Sequence, residues 1–307
     1  MKKYELTRET KVINGVELHR IKALESFGNI KEGELGGWIE SEKNLSQDGN
    51  AWVGGDATVS GNATVEENAR VGRDATVRGN ATVRGNAWVR GNATVGENAT
   101  VEENAWVYGN ARIYGDSTVR GHAWVYGHAK VEDNATVGEN ATVRGHAWVY
   151  GHATVEDNAT VRGNAIICEY AKVDEYAKVD EYATVRGNAM VGGYATVRGN
   201  AMVSGDATIE NKADVYGNAT ISRDAEVRGK EDFIVFKNWW SSGRYFTWTR
   251  SNNKWKVGCF YGSGEELIAK AYKDSEKSGR EYERVVKYVE SILKEENNDD
   301  KYNKGTY

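Results

Sequence analysis

The chain has no proline, two cysteines, three methionines and five histidines in 307 residues. The absence of proline removes polyproline linkers and collagen-like structure. Two cysteines, Cys168 and Cys259, are too few for a disulfide framework. No stretch approaches the roughly 18 apolar residues of a membrane span, and Lys2 and Lys3 are not followed by the apolar core of a signal peptide. These absences predict a protein of the cytoplasm with no membrane role. The net charge of −5 is mild, and lysine and arginine are interleaved with aspartate and glutamate. With no broad basic field, nucleic acid is not an expected partner. Phosphate-loop, dinucleotide, zinc and nucleophile-elbow signatures are missing, so neither a cofactor nor a metal is expected.

What is present is a six-residue repeat. Valine or isoleucine stands at 53, 59, 65 and every sixth position to Val227, thirty times without insertion or deletion. Two residues before each stands alanine, with Ser117 the one exception. In a strand, alternate residues face opposite sides. Alanine and valine therefore share one face, while the residue between them and the residue after valine share the other. Gly-Asn, Glu-Asn or Asp-Asn then supplies a turn in which positive φ is tolerated. Three such units close a triangular coil of 18 residues, and 51–228 makes about ten coils.

Val-x-Gly-Asn-Ala-x resembles the hexapeptide repeat of left-handed parallel β-helix proteins. The resemblance covers 51–228 and implies the handedness and closure of the coil. It does not imply an activity, since that group holds acyltransferases, carbonic anhydrases and non-enzymatic proteins.

Both ends break the period. Residues 1–50 contain two short strand patterns around Asn14-Gly15, then Leu35-Gly36-Gly37-Trp38-Ile39, and read as an N-terminal cap. Residues 229–297 read as a small α+β domain. Strands are expected around Phe233 to Phe236, Arg244 to Arg250 and Lys254 to Phe260. A capping box at Ser263-Gly264-Glu265-Glu266 should open a first helix, and a second should bury Tyr282, Val285, Val286, Val289, Ile292 and Leu293. Residues 298–307 read as a disordered tail. Gly258-Cys259-Phe260-Tyr261-Gly262 is similar to a terminal module of phage and prophage solenoid proteins. Arg20 to Leu24 and Gly36 to Ser41 resemble the opening segment of the same proteins. That resemblance implies a phage or mobile-element setting, hence the cytoplasm of a bacterial host cell, with an anti-defence role, and it brings no catalytic residues.

Residues 18 apart should stack on adjacent coils. One face then carries Trp88, Trp106 and Trp124, with Arg90, Tyr108, Tyr126 and Arg144 in the companion column two residues on. A contiguous aromatic patch with a basic border points to a partner, although ladder stacking alone also explains aromatic columns in a sheet. Trp148 and Tyr150, with Tyr114 near them, form a second cluster on the next face. The remaining face is a threonine column beside alternating Glu66, Arg84, Glu102 and Arg120. His122, His128, His146 and His152 occupy turns, and His128 and His146 should stack. Left-handed β-helix acyltransferases use a histidine beside a protruding loop at a subunit interface, and no loop interrupts these coils.

The expectation is a non-enzymatic binding or scaffold protein that engages a host protein or another copy of itself through Trp88, Trp106, Tyr108, Trp124, Tyr126, Arg90, Arg144, Trp148 and Tyr150. The alternatives are a trimeric acyltransferase-like enzyme and a sponge that sequesters a small nucleotide signal.

Overall fold

The computed structural model describes residues 2–240 and 243–304, with side chains through Glu296. Each hexad forms a short strand closed by a turn, two residues long as in Trp88–Val89 or Thr94–Val95 and four in Met202–Gly205 and Thr220–Arg223. Strands one coil apart pair in parallel and in register: Trp88 sits opposite Arg70 on one side and Trp106 on the other. Backbone bonds of nearly constant length tie coil to coil, as in Trp88 N–H to Ala105 O and Arg90 N–H to Val107 O, both 2.9 Å. Three sheets result. Two have ten strands, and the third has thirteen because strands of the N-terminal segment join it.

The chain is thus a parallel β-solenoid. Its bore is filled by the inward alanine, valine and isoleucine side chains, all at 1 % exposure or less. Ser117 is also fully buried, and its hydroxyl donates to Tyr114 O at 2.6 Å. The turns use left-handed backbone at the residue before the asparagine. At Gly115, φ is +72°, and a Cβ would stand 2.5 Å from Asp133 O of the next coil. At some coils an acidic residue at that position reaches the next coil's turn: Glu97 accepts from Gly115 N–H at 2.8 Å and Glu103 from Gly121 N–H at 2.7 Å. The side chain thereby offsets part of the cost of left-handed backbone.

The ten coils expected over 51–228 are present, and one further turn precedes them, about eleven in all. Trp38–Ile39 pairs in parallel with Thr58–Val59, and Leu45 bridges to Val65. Residues 35–50 therefore belong to a first turn, whose step to the next coil is 20 residues in place of 18. Beyond it, strands Tyr4–Ile13 and Val16–Ala23 form an antiparallel hairpin that lies against Leu35–Ile39. Tyr4 is fully buried, and its hydroxyl donates to Leu45 O at 2.7 Å. Lys3 turns its ammonium onto the carbonyls of Asp48, Gly49 and Ala51. These contacts occupy groups that an open solenoid end would leave unpaired.

At the other end, strands Phe233–Lys237, Tyr245–Thr249, Lys254–Val257 and Phe260–Gly262 form a four-stranded antiparallel sheet. Helix α1 (Gly264–Asp274) begins at a capping box: Ser263 Oγ accepts from Glu266 N–H, and Glu266 Oε2 accepts from Ser263 N–H at 2.7 Å. Helix α2 spans Glu276–Lys304, so the backbone is helical through 304 where the sequence predicts a tail. Residues 305–307 of that expectation lie outside the described residues. Phe246, Trp248, Trp255, Leu267, Val286 and Val289 make this unit's own core. Phe233 instead packs into the solenoid core. Thr220 N–H donates to Thr247 Oγ1, and Asp224 accepts from Asn252 and Tyr261, which fastens the unit to the last coil. Among the described residues, no helix is long and apolar enough to cross a membrane.

Candidate functional site: the tryptophan ladder and its head

The outward position between alanine and valine falls at the same place in every coil, so identical side chains meet identical surroundings one coil on. Coil spacing in a parallel ladder is about 4.8 Å, close to the thickness of stacked rings. Trp88 and Trp106 lie with centroids 5.1 Å apart and planes 3° from parallel, and Trp106 and Trp124 follow at 5.6 Å and 12°. Tyr108 and Tyr126 stack beside them at 4.7 Å and 5°. Indoles lying flat on the sheet would collide at such spacing. The predicted slab is therefore a ladder seen edge-on, in which ring faces cover one another and ring edges meet solvent. Trp88 is 38 % exposed and Trp124 45 %.

Arg90 leans over the rings of Trp106, Tyr108 and Trp88, 4.8 to 5.9 Å from their centroids. Arg144 continues the tyrosine column one coil beyond Tyr126. Neither arginine has an ion-pair partner among the described residues. On the threonine face, by contrast, Arg84 pairs with Glu102, and Arg120 reaches across Gly138 to Glu156 at 2.7 Å. Burial, with Tyr126 next, pushes the Tyr108 hydroxyl above its ordinary pKa while Arg90 and Arg144 pull it down, so it remains a donor at neutral pH. The indole N–H groups of Trp88, Trp106 and Trp124 have no hydrogen-bond partner among the described residues either. The aromatic face thus presents donors and positive charge.

The structure keeps Trp148 and Tyr150 apart from this ladder, on the next face. Their rings lie 4.4 Å apart, Trp148 Nε1 donates to Glu132 at 2.8 Å, and Lys130 sits over the indole. Tyr150 is hydrogen-bonded to Cys168, which with burial pushes its hydroxyl up to about 12. The polar groups of this cluster are already engaged within the chain.

His128 and His146 stack as the spacing predicts, 4.8 Å apart and 4° from parallel. They line a shallow groove with Arg112, Lys130, Asn92, Asn110 and Thr94. No carboxylate orients either ring, so the hydrogen-bonded pairing that poises a histidine base is not formed by the described residues. Among the described residues, no three His, Cys, Asp or Glu side chains converge in a way that could hold a metal ion.

At the head of the ladder, a cleft of about 260 Å³ lies between Trp52 and Trp88. Arg70 takes the place of a tryptophan between them, and Gly54 and Gly72 stand where the companion column later carries Arg90 and Tyr108. A Cβ on Gly72 would meet nothing within 4 Å. Arg70, Arg73, Arg90 and Glu34 line the cleft, with Asn29 and Ile30 of the N-terminal segment. Column reading misses this cleft. The only signal in the sequence is the paired interruption of both columns at residues 70 and 72.

The family described as YdcK beta solenoid repeat matches residues 57–73 and 105–121. Each stretch is about one coil long, and the match lies wholly within the repeats. No curated protein matches the chain.

Proposed function

We propose that the chain is a non-enzymatic binding protein whose aromatic face receives an acidic protein surface. The carrying observation is the exposed ladder of Trp88, Trp106 and Trp124 beside Tyr108 and Tyr126, flanked by Arg90 and Arg144 without carboxylate partners. Ring edges, indole N–H groups, phenol hydroxyls and guanidinium groups are all positive or donating. The surface that complements them offers carboxylates and carbonyls. Tryptophan, tyrosine and arginine are also the residues that concentrate binding energy at protein interfaces.

A second copy of the chain has a surface of this character. Tyr176 and Tyr194 stack at 4.9 Å on a corner bordered by Glu169, Glu175 and Glu181, while Asp174 and Asp180 nearby are paired with Lys172 and Arg162. Self-association between the aromatic face of one copy and this corner of another is the form of the proposal that the charges favour. The resemblance of both chain ends to phage and prophage solenoid proteins supports placing this role in a mobile element within a bacterial cytoplasm, with an anti-defence purpose.

The test uses Trp106→Thr combined with Trp124→Thr. Thr142 and Thr160 already fill the same column, so the coils tolerate the change. Sedimentation reads self-association, and capture by the immobilised chain reads other partners. Loss of either, with salt weakening the wild-type interaction, supports the proposal. An unchanged oligomeric state together with unchanged capture overturns it.

A further inference from the structure

The rings of the ladder cover one another except at its ends. Trp106 covers one face of Trp88. The other face looks toward the Arg70 row, where no ring stands until Trp52, two coils away. Trp52 is buried and wedged edge-on against Phe27, with centroids 5.5 Å apart, so it forms a fixed far wall. The single row between Trp52 and Trp88 carries Arg70 in place of a ring, and its Nη2 reaches toward Gly28. Gly54 and Gly72 keep the cleft open on the companion side.

Charge selects what enters. Three arginines line the cleft against the one acidic residue, Glu34. Arg70, Arg73 and Arg90 have no salt bridge among the described residues. Burial pushes the Arg70 guanidinium below its ordinary pKa, and Glu34 offsets this only in part. A desolvated cation without an ion-pair partner is satisfied by an anion from outside. Its Nη2 lies 2.8 Å from where a Cβ of Gly28 would stand, so the N-terminal segment holds it at the cleft's edge.

We propose that this cleft binds a planar aromatic phosphate of mononucleotide size, its ring stacked on the free face of Trp88 and its phosphate among Arg70, Arg73 and Arg90. The site needs neither a partner protein nor a second copy, although it shares Trp88 and Arg90 with the ladder. The small cavity matches a mononucleotide better than a larger ligand.

Calorimetry on the full chain tests it with AMP and GMP, with adenosine as ring without anion and inorganic phosphate as anion without ring. AMP or GMP is expected to bind, with adenosine and phosphate each weaker by about tenfold or more. Gly72→Tyr should abolish binding by filling the cleft. Tyrosine already stands in this column at 108 and 126, and circular dichroism verifies the fold. Trp88→Thr, a residue common in its own column, should weaken binding by about tenfold. Failure of both nucleotides to bind, phosphate binding as tightly as AMP, or undiminished binding by Gly72→Tyr overturns the proposal. Titration of the isolated chain separates this outcome from partner capture, which is read with Trp106 and Trp124.

Discussion

Trp88 and Trp106 lie face to face, their centroids 5.1 Å apart and their planes 3° from parallel. Trp106 is therefore covered on both sides, because Trp124 stacks on its other face. An offset aromatic pair contributes about 0.5–1.5 kcal/mol beyond the area it buries. Trp106→Thr removes two such pairs at once, whereas Trp88→Thr removes one, and Trp124→Thr removes one stacked pair together with an edge contact to Tyr108. The expected loss for Trp106→Thr is on the order of 1–3 kcal/mol, larger than for Trp88→Thr, with a matching fall in the near-ultraviolet dichroism of coupled indoles. Equal losses at Trp88 and Trp106 would show that the stack carries no energy of its own.

The turns set a different requirement. At Gly115, left-handed backbone coincides with close approach of the next coil, 2.5 Å from a hypothetical Cβ to Asp133 O. Gly115→Ala is expected to destabilise by about 1–2 kcal/mol. Gly115→Asn should lose less, since asparagine visits this region more readily. Thermal melts of the two variants decide it, and an alanine variant as stable as the wild type would contradict the close approach.

The solenoid is legible because its period is strict: the positions that read as inward in the sequence are the ones with 1 % exposure or less. Stacking of His128 on His146 and of Tyr176 on Tyr194 follows from the same register. The first turn is not legible, since the step from Trp38 to its partner Thr58 is longer than a regular coil and breaks the period. The ladder's orientation is not legible either. Spacing places Trp88, Trp106 and Trp124 on one face, but only coil separation set against ring thickness shows that edges are exposed in place of faces. The cleft requires the segment around Asn29, Ile30 and Glu34 to fold back onto the coils that carry Arg70 and Trp88, a contact that no periodicity encodes.

Attachment of the C-terminal unit rests on Asp224. Its carboxylate accepts from the Asn252 amide at 3.0 Å and from the Tyr261 hydroxyl at 3.1 Å, while Arg223 lies over the Tyr261 ring. The Asn252 bond, then its own backbone N–H and then Tyr261 hold Asp224 below the usual aspartate range. A depressed carboxylate stabilises the folded state above its unfolded pKa and loses that contribution as pH falls through the lower folded value. Burial and then Asp224 push the Tyr261 hydroxyl up to about 12. The network is therefore complete from about pH 4 until the tyrosine ionises. Asp224→Ala should speed amide exchange in strands Tyr245–Thr249 and Lys254–Val257 at pH 7 and leave the central coils unchanged. Unaltered exchange in those strands would mean that Phe233 and Thr247 suffice to hold the unit.

Lys3 supplies the opposite pH dependence. It is 2 % exposed, and its ammonium donates to the carbonyls of Asp48, Gly49 and Ala51 at 3.2, 3.3 and 3.1 Å. Burial, with Arg70 next, pushes it down from 10.5 to about 8, against the pull of Asp48 and Glu25. Below pH 8 both folded and unfolded chains hold the proton, so the burial penalty is fully present. Between pH 8 and 10.5 the unfolded chain keeps a proton that the folded chain has released, and the slope of stability with pH from this group is positive. The whole window is worth on the order of 3 kcal/mol. Denaturant titrations of the wild type and Lys3→Met at pH 7 and pH 10 cancel the contributions of all other groups. The wild type should gain stability relative to Lys3→Met on moving to pH 10. An identical response in the two proteins would show that the three carbonyls hold the ammonium charged throughout, with the N-terminal cap closed by a permanent cation.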